Sequence, residues 1–388
     1  MSEKIPLSVP SFFGNEWKYI KECLDTGWVS SVGSYVKRFE SEIATFVGAR
    51  HSIACVNGTS ALQVALQLGG VDPDDEVLVP TVTFIAPINA VRYRSATPVF
   101  MDCDQYYNID VEKTSEFVKT QTVFKEGLTY NKRTGRKISA LVVVHVFGNA
   151  VDMDRLVTLC TERNIRLIED ATESLGTFYQ SGSIAGRHTG TVGDIGCYSF
   201  NGNKIITTGG GGMIVTNNDE FAQRARYLTT QAKDDEVRFV HNEVGYNYRL
   251  TNIQAAMGVA QLEQLPKYLK IKEENFSAYR KEIEGVPGLR LASVPEYAKN
   301  NLWMYALQID KSVYGKNREE VMQFFETKGI QTRPVWYLNH LQKPYQNCQT
   351  YRIENANILL ERTLNIPCSV GLRKSDIETI CTYLKMVG

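Results

Sequence analysis

None of the eight cysteines falls in a C-x-x-C pair or any other regular spacing, so the usual frameworks for a zinc site or a disulfide scaffold are missing. Cys55 and Cys197 lie inside apolar, strand-like runs and read as buried thiols, so the chain is expected to work reduced and without a metal. Excess charge is missing too. The 43 Lys and Arg residues balance 43 Asp and Glu, and neither half carries a basic stripe. That removes the electrostatic case for binding nucleic acid or an anionic membrane. No stretch nears the roughly 18 apolar residues that mark a membrane span. The start, Met1-Ser-Glu-Lys-Ile-Pro-Leu7, has neither the basic opening nor the apolar run of a signal peptide. Together with the absence of repeats and low-complexity tracts, this predicts a soluble protein of the reducing cytoplasm.

What the chain does have is alternation. Its 388 residues exceed one ordinary core, so a large and a smaller domain are expected. Between residues 50 and 230, short apolar strands alternate with amphipathic helices, the pattern of a mostly parallel sheet covered on both faces. Strands are predicted at His51–Val56, Glu76–Pro80, Pro98–Asp102, Ala140–His145 and Arg166–Asp170, and a helix at Ala61–Leu68. The polar run from Gln121 to Lys137 reads as a surface excursion. Beyond Thr251 the period turns helical and continues through Pro266 towards Glu284, a connector leading out of the large domain. Strand-like Leu302–Ile309 and helices at Arg318–Lys328 and Lys374–Met386 suit a smaller α/β domain. The expected division is residues 1–250 and 251–388.

Chemistry gathers around Lys204. It is expected at the end of a strand, five residues after the hydroxyl of Ser199, and the glycines at 209–212 that lead into the next strand are expected to let backbone pass close to a bound group where a Cβ would clash. A lone lysine is ordinarily solvated charge; the partner that changes the reading is Asp170, at the end of another buried strand. An amine and a carboxylate so placed suit pyridoxal 5'-phosphate (PLP): the amine condenses with the cofactor aldehyde, and the carboxylate keeps the pyridine nitrogen protonated. Asn57-Gly58-Thr59-Ser60 falls at a strand-to-helix turn, where helix-start N–H groups and two hydroxyls make a phosphate cradle, or simply a helix cap. No Gly-Lys-Ser/Thr follows, so it is not a Walker motif. Nor is there a strand-linked G-x-G-x-x-G, since the glycines at 209–212 enter a strand. Phe84 is placed to stack on a planar ring or to be an ordinary core aromatic. Glu173 is placed to reach the cofactor hydroxyl or to begin a surface helix.

Seven motifs running nearly end to end complete the pattern: Gly27-Trp-Val-Ser-Ser31, Asn57-Gly-Thr-Ser-Ala-Leu62, Pro80-Thr-Val-Thr-Phe84, Val144-His-Val-Phe-Gly148, Glu169-Asp-Ala171, Ser199-Phe-Asn-Gly-Asn-Lys204 and Gly245-Tyr-Asn-Tyr-Arg249. With them the chain resembles the DegT/StrS aminotransferases, fold-type-I PLP enzymes that act on nucleotide-linked keto-sugars. The resemblance implies a mostly parallel seven-stranded sheet in the large domain and a smaller C-terminal α/β domain. It implies that Lys204 carries PLP, that Asp170 faces the ring nitrogen, and that Gly58, Thr59, Ser60 and Ser199 hold the phosphate while Phe84 covers the ring. Asn247 would come from the neighbouring subunit of a homodimer with a shared active site. Trp28, Ser30, Ser31 and His340 would border the sugar, with helix capping by the serines and a structural hydrogen bond for His340 as the competing accounts. L-Glutamate would give up its amino group and leave as 2-oxoglutarate, with pyridoxamine phosphate as the intermediate form of the cofactor.

Two positions depart from the family pattern: Gly210, where most members have glutamate, and Glu173, where most have glutamine or histidine. With Asn201-Gly-Asn203 and Thr229–Asp235, they are similar to the branch that aminates UDP-linked 4-keto-6-deoxy-N-acetylglucosamine for bacillosamine and legionaminic acid in surface glycans. GDP-4-keto-6-deoxymannose, leading to perosamine, is the alternative substrate. PLP-dependent sugar dehydratases of the same fold replace the lysine with histidine, which Lys204 argues against. A non-catalytic protein that binds PLP or a nucleotide sugar is the rival from another class.

Overall fold

The computed structural model describes residues 4–235 and 237–387; Met1, Ser2, Glu3, Glu236 and Gly388 lie outside the described residues. Seven strands of the main sheet arise in chain order: β1 (His51–Cys55), β2 (Glu76–Pro80), β3 (Thr97–Met101), β4 (Ile138–Val144), β5 (Arg166–Asp170), β6 (Ile195–Ser199) and β7 (Gly212–Thr216). They read as near-continuous apolar runs because helices cover both faces; all seven residues of β4 are buried. Three further strands follow, β8 (Leu289–Leu291), β9 (Tyr305–Ile309) and β10 (Arg333–Pro334). The chain then makes β11 (Thr350–Tyr351) and β12 (Thr363–Ile366).

The first sheet has eight strands, not the seven expected, in the order β1-β7-β6-β5-β4-β2-β3-β11. The added strand, β11, pairs in parallel with β3 through Thr350 and Tyr351, too short a run to show as a period in sequence. Only β7 runs against the rest, being antiparallel to both β1 and β6. The second sheet, β8-β9-β12-β10, is antiparallel and has its own core of Leu307, Leu364, Ile366, Phe325, Ile380 and their neighbours. The polar excursion is a hairpin, Thr122–Lys125 against Leu128–Asn131.

Four helices matter most for the site. They are α1 (Glu16–Thr26), α2 (Ser34–Val47), α3 (Gly58–Leu68) and the 32-residue α4 (Asn252–Ile283). A capping box between Thr251 and Gln254 starts α4. Pro266 lies inside it, at a cost of about 3 kcal/mol for the lost N–H bond and the ring clash. The helix persists because each side of the proline is packed: Ala255 to Leu265 in the core with α2, and Phe276, Tyr279 and Ile283 in the core of the second sheet. Two hydroxyl contacts seat the second sheet on the first. Tyr107 Oη lies 2.9 Å from Thr363 Oγ1 and accepts from Gln308 Nε2 at 2.9 Å.

All eight cysteines are free thiols, seven of them buried. Among the described residues no helix is long and apolar enough to cross a membrane.

Helix α4 meets α2 at Gly258, where an added Cβ would come within 2.7 Å of the Phe39 ring, itself fully buried. Gly258→Val should therefore lower stability by about 1–3 kcal/mol through overpacking. Urea unfolding checks this, with the midpoint moving down and the slope unchanged.

Candidate active site

The carboxyl ends of β1, β2, β5 and β6 converge on one cleft of about 590 Å³. Ligand sites of open α/β sheets lie at this edge because loops and helix starts present N–H groups there. Asn57 caps α3, its side chain accepting from Ser60 N–H at 2.7 Å. The first N–H groups of the helix, on Gly58 and Thr59, have no acceptor within it. Both residues line the cleft with Ser199, whose hydroxyl accepts from Asn201 N–H at 3.3 Å. A Cβ on Gly58 would sit 3.0 Å from Ser199 Cβ and 3.1 Å from Thr172 Cγ2, so a side chain there would push these neighbours outward by a few tenths of an ångström. The run at 209–212 works differently from the expectation. A Cβ at Gly212 would stand 2.4 Å from the Asn57 carbonyl carbon, so that glycine admits β7 beside the capped turn rather than beside a bound group.

Two successive carboxylates end β5, and strand alternation sends them to opposite faces. Glu169, fully buried, accepts from Gly190, Val192 and Gly193 N–H at 2.7, 2.6 and 2.5 Å. His145 adds a fourth bond at 2.9 Å; Val151 N–H donates to Nδ1, so Nε2 carries the hydrogen. Burial alone would raise the Glu169 carboxyl, but these donors outweigh it and hold it below its ordinary value. Asp170 lines the cleft and accepts from Thr172, whose N–H is 3.1 Å away and whose side-chain hydroxyl also bonds it. Burial raises its carboxyl above the usual range, against the pull of Thr172 and of the Lys204 charge.

Lys204 lies not at a strand end but in the turn beyond β6, where its N–H bonds Asn201 O at 3.0 Å. Its Nζ is 3.7 Å from Glu173 Oε1 and 4.3 Å from the centre of the Trp303 ring. Trp303 is held by Nε1 donating to Asn203 O at 2.7 Å, and its carbonyl accepts from the buried amine of Lys272 at 2.8 Å. Glu173 is buried, not the first residue of a surface helix, and accepts from Phe147 N–H at 2.8 Å. Burial pushes its carboxyl up to about 7, with Lys204 and the Phe147 N–H opposing.

Of the residues singled out from sequence, Gly58, Thr59, Phe84, Asp170, Glu173, Ser199 and Lys204 meet in the cleft, with Phe84 54% exposed at its mouth. Ser60 does not line it: one step along α3, its hydroxyl is engaged by Tyr248. His340 does not line it either. Its Nδ1 meets Thr81 Oγ1 at 2.7 Å, while Asn339 Nδ2 donates to the carbonyls of Thr81 and Thr83, so this turn clamps the loop that presents Phe84. Trp28, Ser30 and Ser31 do not line the cleft of their own chain. Asn252 holds their loop to the start of α4, donating to Trp28 O at 2.8 Å and, from its N–H, to Ser30 O at 2.6 Å. Gly33, not a serine, is the cap of α2. Asn247 is exposed and likewise away from its own cleft.

Sequence reading missed the opposite wall, made by Phe147, Trp303, Arg333, Trp336, Tyr337 and Asn365. Phe147 stacks on Trp336 at 5.1 Å. The run Arg333–His340 carried a signal, three aromatic or basic side chains together, but only its histidine was chosen. Nothing local marks Trp303 or Asn365.

A cradle of N–H groups and hydroxyls, a buried carboxylate and an amine in one cleft fit a phosphorylated aldehyde cofactor, the arrangement of a PLP-dependent enzyme. The chain belongs to the DegT/DnrJ/EryC1/StrS aminotransferase family, whose pattern matches residues 12–385. It is 36% identical to the GDP-perosamine synthase of Caulobacter vibrioides, over 99% of this chain and 98% of that one. Identity to the GDP-perosamine synthase of Vibrio cholerae is 35%, over 98% of each. Among solved structures it is similar to DesI, determined with its TDP-sugar product, at 27% identity and a TM-score of 0.88, over 100% of this chain and 93% of that one. The protein is thus a PLP-dependent sugar aminotransferase.

The raised Glu173 carboxyl has a sign. In cofactor-free protein the folded state keeps this proton up to about pH 7 while the unfolded chain gives it up near its ordinary 4.5. The group therefore removes stability as pH rises between those values, and none further above them. Glu173→Gln should be more stable than the parent at pH 8, by roughly 3 kcal/mol. The difference should vanish below pH 4.5, and unfolding midpoints across that range check it.

Proposed function

We propose that the protein transfers the amino group of L-glutamate to C4 of GDP-4-keto-6-deoxymannose. The convergence of Lys204, Asp170 and the α3 cradle in one cleft carries the reaction type. The choice of sugar rests on relatives: three named GDP-perosamine synthase are 35–36% identical over nearly the whole chain. They favour the GDP-linked sugar over the UDP-linked N-acetyl sugar expected from the sequence.

When bound, PLP supplies an aldehyde that takes up amino groups and a protonated ring that accepts electrons from the reacting carbon. The Gly58 and Thr59 N–H groups, with the hydroxyls of Thr59 and Ser199, would bind its phosphate, and the carboxylate of Asp170 would hold the proton on the ring nitrogen. Phe84 would pack on the ring, and Glu173 would bond its hydroxyl. Lys204 Nζ takes the proton from Cα of L-glutamate and, after 2-oxoglutarate leaves, delivers one to C4 of the sugar. A homodimer completes the site. In support, apolar side chains stand exposed around the segments that miss their own cleft: Trp17 at 85%, Trp28 at 58%, Val32 at 68% and, beside Asn247, Val244 at 81%. Asn247, Trp28, Ser30 and Ser31 then serve the neighbour's cleft, and the enzyme works in the cytoplasm.

Absorbance of the purified enzyme tests the chemistry. L-Glutamate should convert the cofactor to its aminated form and GDP-4-keto-6-deoxymannose should restore it. Lys204→Ala should do neither, and a Lys204→Ala enzyme that turns over would sink the mechanism. Recovery with the UDP-linked sugar alone would return the substrate to the sequence-based expectation. Mixing and refolding Lys204→Ala with Asn247→Ala protein should restore up to about a quarter of wild-type activity if sites are shared between subunits. Two inactive proteins that stay inactive after verified exchange would exclude that sharing.

A further inference from the structure

Strand β12 presents its residues alternately to two sides. Leu364 and Ile366 are fully buried in the core of the second sheet. Thr363 and Asn365 therefore face the other way, towards the first sheet. Thr363 spends its hydroxyl on Tyr107. Asn365 lines the cleft that holds Lys204 and Asp170, is only 5% exposed, and has a buried Oδ1 with no hydrogen-bond partner. Four buried side-chain atoms among the described residues lack a partner, and this is the one that lies in the cleft. An unpaired amide oxygen this deep is costly in a protein that must also fold, unless something that enters the cleft pairs with it.

The geometry points to Asn365 as a specificity residue that hydrogen-bonds a ring hydroxyl of the hexose. This rests on the nucleotide-sugar reading above but not on which nucleotide is attached. The two substrates of the cleft differ in what they offer an amide. A carboxylate of L-glutamate only accepts, so it satisfies the N–H side and leaves the buried oxygen unpaired whichever way the amide is turned. A sugar hydroxyl donates to Oδ1 and can accept from Nδ2, satisfying both. A carboxylate also has a better partner nearby. Arg333, opposite Asn365 in the β10–β12 register, lines the same cleft, and among the described residues its guanidinium bonds only the carbonyl of Thr332, at 3.0 Å. Charge-assisted pairing draws an anion there and leaves the neutral amide to a neutral group.

The two half-reactions can be measured apart, which makes the assignment testable in the cofactor-loaded enzyme. In Asn365→Ala, amination of the cofactor by L-glutamate should stay within about 2-fold of wild type. Transfer to the keto-sugar should fall about 10- to 100-fold in kcat/KM. Calorimetric affinity for the unreactive 4-hydroxy form of the same nucleotide-linked sugar should fall by a similar factor. Equal loss in both half-reactions would overturn the proposal and give Asn365 a role in shape or in carboxylate binding. No loss in either would overturn it as well. If wild type aminates a UDP-linked sugar instead, the nucleotide above is wrong and the same comparison on that sugar decides Asn365. If no keto-sugar reacts with the glutamate-treated wild type, the nucleotide-sugar reading fails. Affinities of wild type and Asn365→Ala for the 4-hydroxy sugars then decide, equal values refuting the assignment.

Discussion

The end of β5 is where this protein divides structure from chemistry. Two consecutive carboxylates are buried there, which in a dry interior is costly unless each charge is met by donors. Strand alternation separates them. Glu169 turns towards the loop at 188–193 and gathers three backbone N–H groups and the His145 ring. Asp170 turns into the cleft with one close N–H, from Thr172. The saturated carboxylate fixes the loop and the end of the strand; the other faces the cleft with hydrogen-bonding capacity to spare. Had both been fully paired within the chain, the site would hold nothing. Had neither been paired, the strand end would not form.

The second constraint is how the two sheets share one cleft. Helix α4 contributes to both cores, and the Tyr107 contacts to Thr363 and Gln308 fix how the second sheet lies against the first. The second sheet and its loops thereby bring Trp303, Arg333, Trp336 and Asn365 to face Asp170 and Lys204. Lys272, buried in α4 without a carboxylate, donates to the carbonyls of Trp303 and Cys368, at 2.8 and 2.6 Å. Burial lowers its amine pKa. It ties the connector helix to the aromatic ring that packs on Lys204.

Much of the first wall was legible in sequence. Asp170 and Ser199 end apolar runs, Asn57-Gly-Thr-Ser60 stands where a strand becomes a helix, and Phe84 follows a strand ending in proline. Each is local, because the carboxyl end of a parallel strand is both a sequence boundary and the ligand edge of the sheet. The misreadings also have local causes. Ser60 follows two true cleft residues but turns away on the first helical turn, and His340 was chosen for its chemistry when its neighbours reach the cleft. Gly212 looked like room for a ligand and is room for backbone. The eighth strand is two residues long and carries no period to detect.

The sequence by itself determined which groups gather at the carboxyl edge of the large sheet: the amine, the carboxylate and the helix start, and with them the class of cofactor. Those groups are placed by short stretches of chain whose geometry is set by turn and capping preferences. Only the tertiary structure decided the facing wall and the partners each group keeps. Asn365 and Trp303 lie more than a hundred residues from Asp170, and whether they meet it depends on how α4 and the second sheet pack. That packing is a sum of contacts across the whole chain, so no local pattern can encode it.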